Sequence, residues 1–392
     1  MMPPLSQLFI RCFKLGATAY GGPGMIGQIK ETAVKKHGWV EEAEFLRGLA
    51  LCQLIPGATM VQMVTYIGYR VRGIWGALAA AVAFVLPALI VLIILSALYF
   101  KFQTLWFIQA LFKGLGAIVV AILLNACITF SRSIFKDWKV VLIAVLSFFG
   151  FLLRWNILLI FLLAAAAALL LHPKVIQVKT TPFSKTSHQR EFLKGEYLLL
   201  GSVAVLICLL LVISYLIDSN ITSLSLSLSK IGALAFGGGF TTIPLIQYEV
   251  IERFQWLSTK EFLDGIALGQ VTPGPILITA TFIGYKISGL LGALMATIGI
   301  FSPSFFILIL LIPYYDRLKG METIRTIEQG ILGSFVGMLG VVLYNFGRAS
   351  LVDIPTILMA AAAFFALLKK ISLPYILLPA GILSILFFGV LN

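Results

Sequence analysis

KLGATAYGGPG, Lys14 to Gly24, runs on to GWVEEAEFLRGLALCQLIPGA, Gly38 to Ala58, and both are written again as KIGALAFGGGF, Lys230 to Phe240, and QWLSTKEFLDGIALGQVTPGP, Gln255 to Pro275. Gly16, Gly21, Gly22, Trp39, Glu44, Phe45, Gln53, Pro56 and Gly57 meet Gly232, Gly237, Gly238, Trp256, Glu261, Phe262, Gln270, Pro273 and Gly274. The offset of about 216 residues is far longer than a solenoid period, so it reads as a duplicated half-molecule. The match continues through Ile67-Gly68-Tyr69 with Ile283-Gly284-Tyr285, Gly76-Ala77-Leu78 with Gly292-Ala293-Leu294, Pro87 with Pro303, Arg132 with Arg348 and Asp137 with Asp353. Each copy carries two Gly/Pro interruptions in apolar surroundings. Paired broken segments in corresponding positions of two halves point to a transporter's binding site.

The 392-residue chain is 60% hydrophobic and only 11% charged, with mean hydropathy +1.03. So much apolar surface has no soluble core to enter, which makes this an integral membrane protein in a lipid bilayer. The start, Met1-Met2-Pro3-Pro4, lacks a charged n-region and a small-residue cleavage site, so the first segment is expected to be retained. A net charge of +13 would suit nucleic acid, but the basic residues fall in short loops and one linker, as orientation by positive loops requires. Cys12, Cys52, Cys127 and Cys208 are scattered singly and read as small hydrophobes, while His37, His172 and His188 fall in loops. Neither a metal site nor a histidine-centred catalytic site is expected, and no cofactor is implied.

Apolar segments lie at 5–29, 45–69, 73–100, 105–130, 138–153 and 155–171, and again at 224–247, 262–285, 288–314, 326–346, 351–368 and 372–391. Between them stand a basic polar linker and an unmatched apolar segment at 197–217. The expected organisation is a first transport domain over 1–171, a cytoplasmic linker over 172–196, a linking helix and loop over 197–223, and a second transport domain over 224–392. Seven crossings separate each position from its copy, an odd number, so the halves should form an inverted-topology repeat. The fold class is therefore all-α, with about 12–13 membrane segments and broken helices. The charges of the predicted inner loops, Arg70 and Arg72, Arg132, Lys136 and Lys139, and Lys369 and Lys370 among them, agree with an N-terminus inside.

Candidate substrate-binding residues are those of the breaks. Gly21, Gly22 and Pro23, with Gly237, Gly238 and Gly239, should open the first helix of each half, because glycine costs about 1 kcal/mol in a helix interior and proline removes a donor. Freed backbone groups are tolerated in hydrocarbon only where they face protein, water or a ligand, and N–H groups at a half-helix start suit an anion. The same glycines would equally serve close helix packing. Gln53, Pro56 and Gly57, with Gln270, Pro273 and Gly274, form the second break, where the amides offer N–H donors without charge or else interhelical hydrogen bonds. Lys14 and Lys230 are the matched cations nearest the glycines, placed either to attract an anion or to reach the interface. Glu44 and Glu261 suit helix N-termini, with proton coupling as the second role.

The combination of FKLGATAYGGPG, EFLRGLALCQLIPG and YIGYRVRGIWGAL, with KIGALAFGGGF, EFLDGIALGQVTPGP and FIGYKISGLLGAL, resembles the chromate ion transporter (CHR) family in its long, two-domain form. The resemblance covers nearly the whole chain. It implies a carrier of the cytoplasmic membrane that exports chromate, driven by the membrane gradient with a proton as coupling partner, and a site that sulfate, alike in charge and shape, would share. The halves differ at Gly239 for Pro23 and at Ala58 for Pro275. A channel for the same anions, a carrier of another oxyanion, and a lipid-phosphate enzyme are the alternatives. The last would need a set of acid–base groups, and no apolar segment contains paired carboxylates or a Ser/His/Asp set. A homo-oligomer is compatible with the sequence, although duplication supplies two-fold symmetry internally.

Overall fold

A computed structural model describes residues 3–19, 23–171, 194–236, 238–314 and 322–390. All regular elements among them are helical. The first half folds as α1 (Leu5–Thr18), α2 (Pro23–Lys30), α3 (Glu42–Leu54), α4 (Thr59–Phe102), α5 (Trp106–Ile134), α6 (Trp138–Leu152) and α7 (Ile157–Leu171). After α8 (Lys194–Ile217) come α9 (Ser219–Ala233), α10 (Thr242–Gln247), α11 (Thr259–Val271), α12 (Thr279–Leu311), α13 (Glu322–Ser350), α14 (Ile354–Leu368) and α15 (Leu373–Ile385). Thus α9 to α15 follow the order of α1 to α7, and α8 has no counterpart among the helices of the first half.

The matches recur in local detail. Both α2 and α10 end in a π-helical turn, Glu31–Lys36 and Tyr248–Arg253. The aligned aspartates are N-caps: Asp137 accepts from the Lys139 N–H at 3.2 Å, and Asp353 from the Thr356 N–H at 3.0 Å. Their recurrence therefore has a structural cause.

The long helices α4 and α12 are each two arms. Arg72 and Gly73 leave the helical region, as do Ser288 and Gly289, and the glycines take φ of +63° and +54°, where side chains are disfavoured. The chain reverses there, because a Cβ on Gly68 would overlap the Gly76 carbonyl oxygen, whereas eight residues of straight helix would part them by about 12 Å. Gly284 stands in the same relation to Gly292. Close backbone approach at small residues is how helices pack in lipid, so the repeated glycines at 68, 76, 284 and 292 are hairpin contacts.

Five helical stretches among the described residues are long and apolar enough to cross a membrane: Thr59–Phe102, Trp106–Ile134, Tyr197–Ile217, Ile276–Tyr314 and Arg325–Ser350. Trp138–Leu152, Ile157–Leu171, Ile354–Leu368 and Leu373–Gly389 are shorter apolar helices. The expected segments 5–29, 45–69, 224–247 and 262–285 are divided, each at its Gly/Pro interruption. The linker at 172–193 lies outside the described residues.

Two compact units form, and neither is one of the sequence halves. The first takes Met1–Ile93, Gln177–Thr242 and Thr272–Glu322; the second takes Ile94–Ile176, Ile243–Val271 and Thr323–Asn392. In the first, Gly16 lies against the Phe84 carbonyl and Gly232 against that of Ile300, so α1 lies on α4 as α9 lies on α12. Tyr69, Ile74 and Ala77 pack there with Leu200, Phe305 and Ile309. In the second, α5 packs on α11, α14 and α15, and Gly330 and Gly337 meet the Ala164 and Ala144 carbonyls.

Candidate functional site

In the first unit the two halves exchange backbone hydrogen bonds at their breaks. The Gly57 N–H donates to the Ala235 carbonyl at 2.8 Å, and the Gly274 N–H donates to the Ala19 carbonyl, also at 2.8 Å. Gly57 and Gly274 are copies, as are Ala19 and Ala235. Each Pro-Gly turn therefore caps the carbonyl at the end of the other half's first helix, next to its glycine break. This satisfies a backbone group that a broken helix would leave orphaned in lipid.

Only glycine fits these turns. Gly57 has φ of +138° and Gly274 of +123°. A Cβ on Gly57 would overlap Gln62 Nε2 and lie 2.6 Å from Ser304 Oγ; one on Gly274 would lie 2.7 Å from Ala88 Cβ. Ala88 and Ser304 are themselves copies, each following the matched proline, Pro87 or Pro303. Where the halves differ, the serine adds chemistry: its Oγ accepts the Ala58 N–H at 3.0 Å at the start of α4. Gln62, only 1% exposed, donates to the Pro56 carbonyl at 2.8 Å. In α12, Pro303 leaves the Gly299 carbonyl without its helical donor, and the Ser229 hydroxyl takes it at 3.1 Å.

Gly238, at φ +106°, has open space where a side chain would stand. Gly239 begins a short 3-10 turn packed on Ile276 and Leu277. The hydroxyls of Thr241 and Thr242 accordingly turn inward, donating to the Gly238 carbonyl at 2.7 Å and the Gly239 carbonyl at 2.6 Å. Gly21, Gly22 and Gly237 lie outside the described residues; Pro23 opens α2. Pro56 and Pro273 are half-buried.

The matched amides differ. Gln53 is exposed, whereas Gln270 is buried and its Nε2 has no partner. An unpaired buried donor costs about 1–3 kcal/mol, which makes Gln270 available to an acceptor arriving at the end of α11. Lys14 and Lys230 are exposed on α1 and α9. None of the stretches 15–29, 53–69, 231–248 and 270–285 contains Asp or Glu. The stretches around the breaks therefore carry no fixed negative charge of their own sequence.

Glu44 accepts from the Tyr66 hydroxyl and pairs with Arg70 at 2.8 Å, closing α3 onto the first arm of α4 around Pro56-Gly57. Glu261 accepts from the Ser258 N–H at 2.9 Å and caps its own helix. At the position matching Tyr66 stands Phe282, which has no hydroxyl to offer. Phenylalanine at Tyr66 is thus expected to loosen this closure, read as faster trypsin cleavage at Arg47 with the thermal midpoint lowered by a few degrees, about 1–2 kcal/mol.

Ser304, Gln62 and the Ala19 and Ala235 carbonyls were not among the sequence candidates. The serine's signal was its place after a matched proline where the other half has alanine; the carbonyls had none, since side chains do not report backbone pairing.

A family model described as Chromate transporter matches residues 6–170 and 222–385. An uncharacterized transporter of Methanocaldococcus jannaschii is 35% identical, over 98% of this chain and 94% of that protein. A chromate transport protein of Cupriavidus metallidurans is 30% identical, over 99% and 94%, and one of Pseudomonas aeruginosa 27% identical, over 98% and 94%. No solved structure matches.

Proposed function

Because the chain belongs to the chromate transporter family, we propose that this multi-pass membrane protein carries chromate out across the cytoplasmic membrane, driven by proton exchange, at an oxyanion site formed by the paired breaks. The observation that carries the proposal is the reciprocal bonding of Gly57 to Ala235 and of Gly274 to Ala19, which gathers the interruptions of both halves in one unit. The capped turns at Gly57 and Gly274 hold the breaks in place, the backbone about Gly238 and Gly239, with Gly21, Gly22 and Pro23 as the first half's share, lines them, and Gln270 at the end of α11 is the unpaired amide donor of the second half. Lys14 and Lys230 draw the anion from outside this cage. Hydrogen bonds alone separate chromate poorly from sulfate, so sulfate competes. Radiolabelled chromate should bind purified protein and be displaced by excess sulfate; the absence of displaceable binding would contradict the site.

Inverted topology follows from the odd number of crossings between copies. Single cysteines at Lys136 and Val352, exposed copies beside the capping aspartates, are expected to react with an impermeant maleimide from opposite sides of intact cells, in a background lacking the four native cysteines. Labelling from one side would exclude inversion.

A further inference from the structure

The second unit holds a buried carboxylate that the oxyanion site does not use. Asp264, midway along α11, is 3% exposed, and its carboxylate accepts from the Tyr99 hydroxyl at 2.7 Å. Both line a cleft of about 230 Å³ with Gln103, Gln109, Lys260 and Glu261. The position is specific to this half, since its copy is Arg47. A carboxylate kept buried is costly and marks a candidate functional group.

We propose that Asp264 is the residue that takes up and releases the coupled proton, entering through this cleft, while Tyr99 positions the ionised carboxylate. The assignment rests on the reading that oxyanion movement is coupled to protons. Transfer is a simple exchange: a hydronium ion in the cleft gives a proton to a carboxylate oxygen and is left as water, and later in the cycle the acid gives that proton to another water, re-forming hydronium. Two features suit the role. The cleft gives water a route to an otherwise enclosed group. Asp264 shares α11 with the buried, unpartnered Gln270 amide, six residues or about 9 Å along the helix, so a change at one is carried to the other by a rigid element.

The charges around Asp264 leave it as the group that changes. Lys260 lies one turn earlier on its own helix and Glu261 beside it, the latter engaged by Ser258. On α5, Lys113 is held by Asp353 at 2.6 Å. On α13, which meets α11 through Phe346 and Phe262, Arg348 lies over Tyr344, and Glu322, Arg325 and Glu328 stand about 27 Å or more down the helix from Phe346. No acidic or basic residue occurs on α15.

The test separates coupling from translocation in proteoliposomes. For wild type, an imposed proton gradient should drive radiolabelled chromate uptake, and chromate preloaded inside should exchange without a gradient. Asp264→Asn is expected to lose gradient-driven accumulation at least about tenfold while keeping exchange within about twofold, as a merely structural carboxylate would not. Tyr99→Phe removes a hydrogen bond to the ionised form, so the pH midpoint of uptake should move upward by about one unit. Asp264→Glu, which keeps an acid, should retain gradient response and guards against a folding defect in the asparagine variant. Accumulation by Asp264→Asn equal to wild type, or an unmoved midpoint in Tyr99→Phe, would overturn the assignment and leave coupling intact. A wild type that exchanges chromate but ignores the gradient would overturn coupling itself, and the assignment with it.

Discussion

Alanine at both Gly57 and Gly274 is expected to lower chromate transport at least about 100-fold while the protein still inserts and purifies as a folded species. Each turn holds its glycine at a φ above +120°, which costs about 1–3 kcal/mol for a residue with a side chain. Each new methyl would also meet the other half's helix, at Ser304 or at Ala88. The turns can relax only by abandoning those backbone angles, and with them the bonds to Ala235 and Ala19. Two losses near 1.4 kcal/mol each already account for about 100-fold. Gly27→Ala, where a Cβ meets no atom within 4 Å, is the matched control and should transport within about twofold of wild type. Full transport by the double variant, measured as uptake per folded protein, would remove the breaks from the mechanism.

A different outcome is expected for Gly284→Leu, which should abolish the folded state rather than the activity. Gly284 faces the Gly292 backbone across the α12 hairpin, and even a Cβ would overlap the carbonyl oxygen and come within 2.7 Å of Ala296. Backbone on both sides cannot yield as a side chain does, so the cost should exceed about 3 kcal/mol. Fluorescence-detected size exclusion should show loss of the monodisperse peak. Leucine at Gly347, which has open space around it, should change the thermal midpoint by no more than a few degrees, about 1 kcal/mol. A sharp peak from Gly284→Leu would mean that the two arms do not fold back at Ser288-Gly289.

Most of the architecture was legible because duplication and hydropathy speak directly to it. The breaks at 55–58, 72–73 and 288–289 fall where Gly and Pro interrupt apolar runs. The assembly of the breaks was less legible. That Gly57 would bond to Ala235 rather than within its own half depends on backbone groups, and no side-chain pattern records them. Matched residues also proved unequal for reasons visible only in their surroundings. Gln53 is exposed where Gln270 is buried, and the Tyr66 hydroxyl that Glu44 accepts has no equivalent at Phe282. Asp264 could have been noticed as a carboxylate in an otherwise apolar run, opposite Arg47 in the alignment of halves. Its partner Tyr99 is 165 residues away, beyond any local pattern. Nor do the compact units follow the halves, because each unit is built by elements from both.

The most direct measurement is uptake of radiolabelled chromate into inverted membrane vesicles containing the protein, with and without an acid lumen and with sulfate as competitor. A proton-driven chromate exporter gives saturable uptake, increased by the acid lumen and inhibited by sulfate. Uptake that never saturates and ignores the gradient would instead describe a channel, and no uptake by vesicles with folded protein would remove chromate as the substrate.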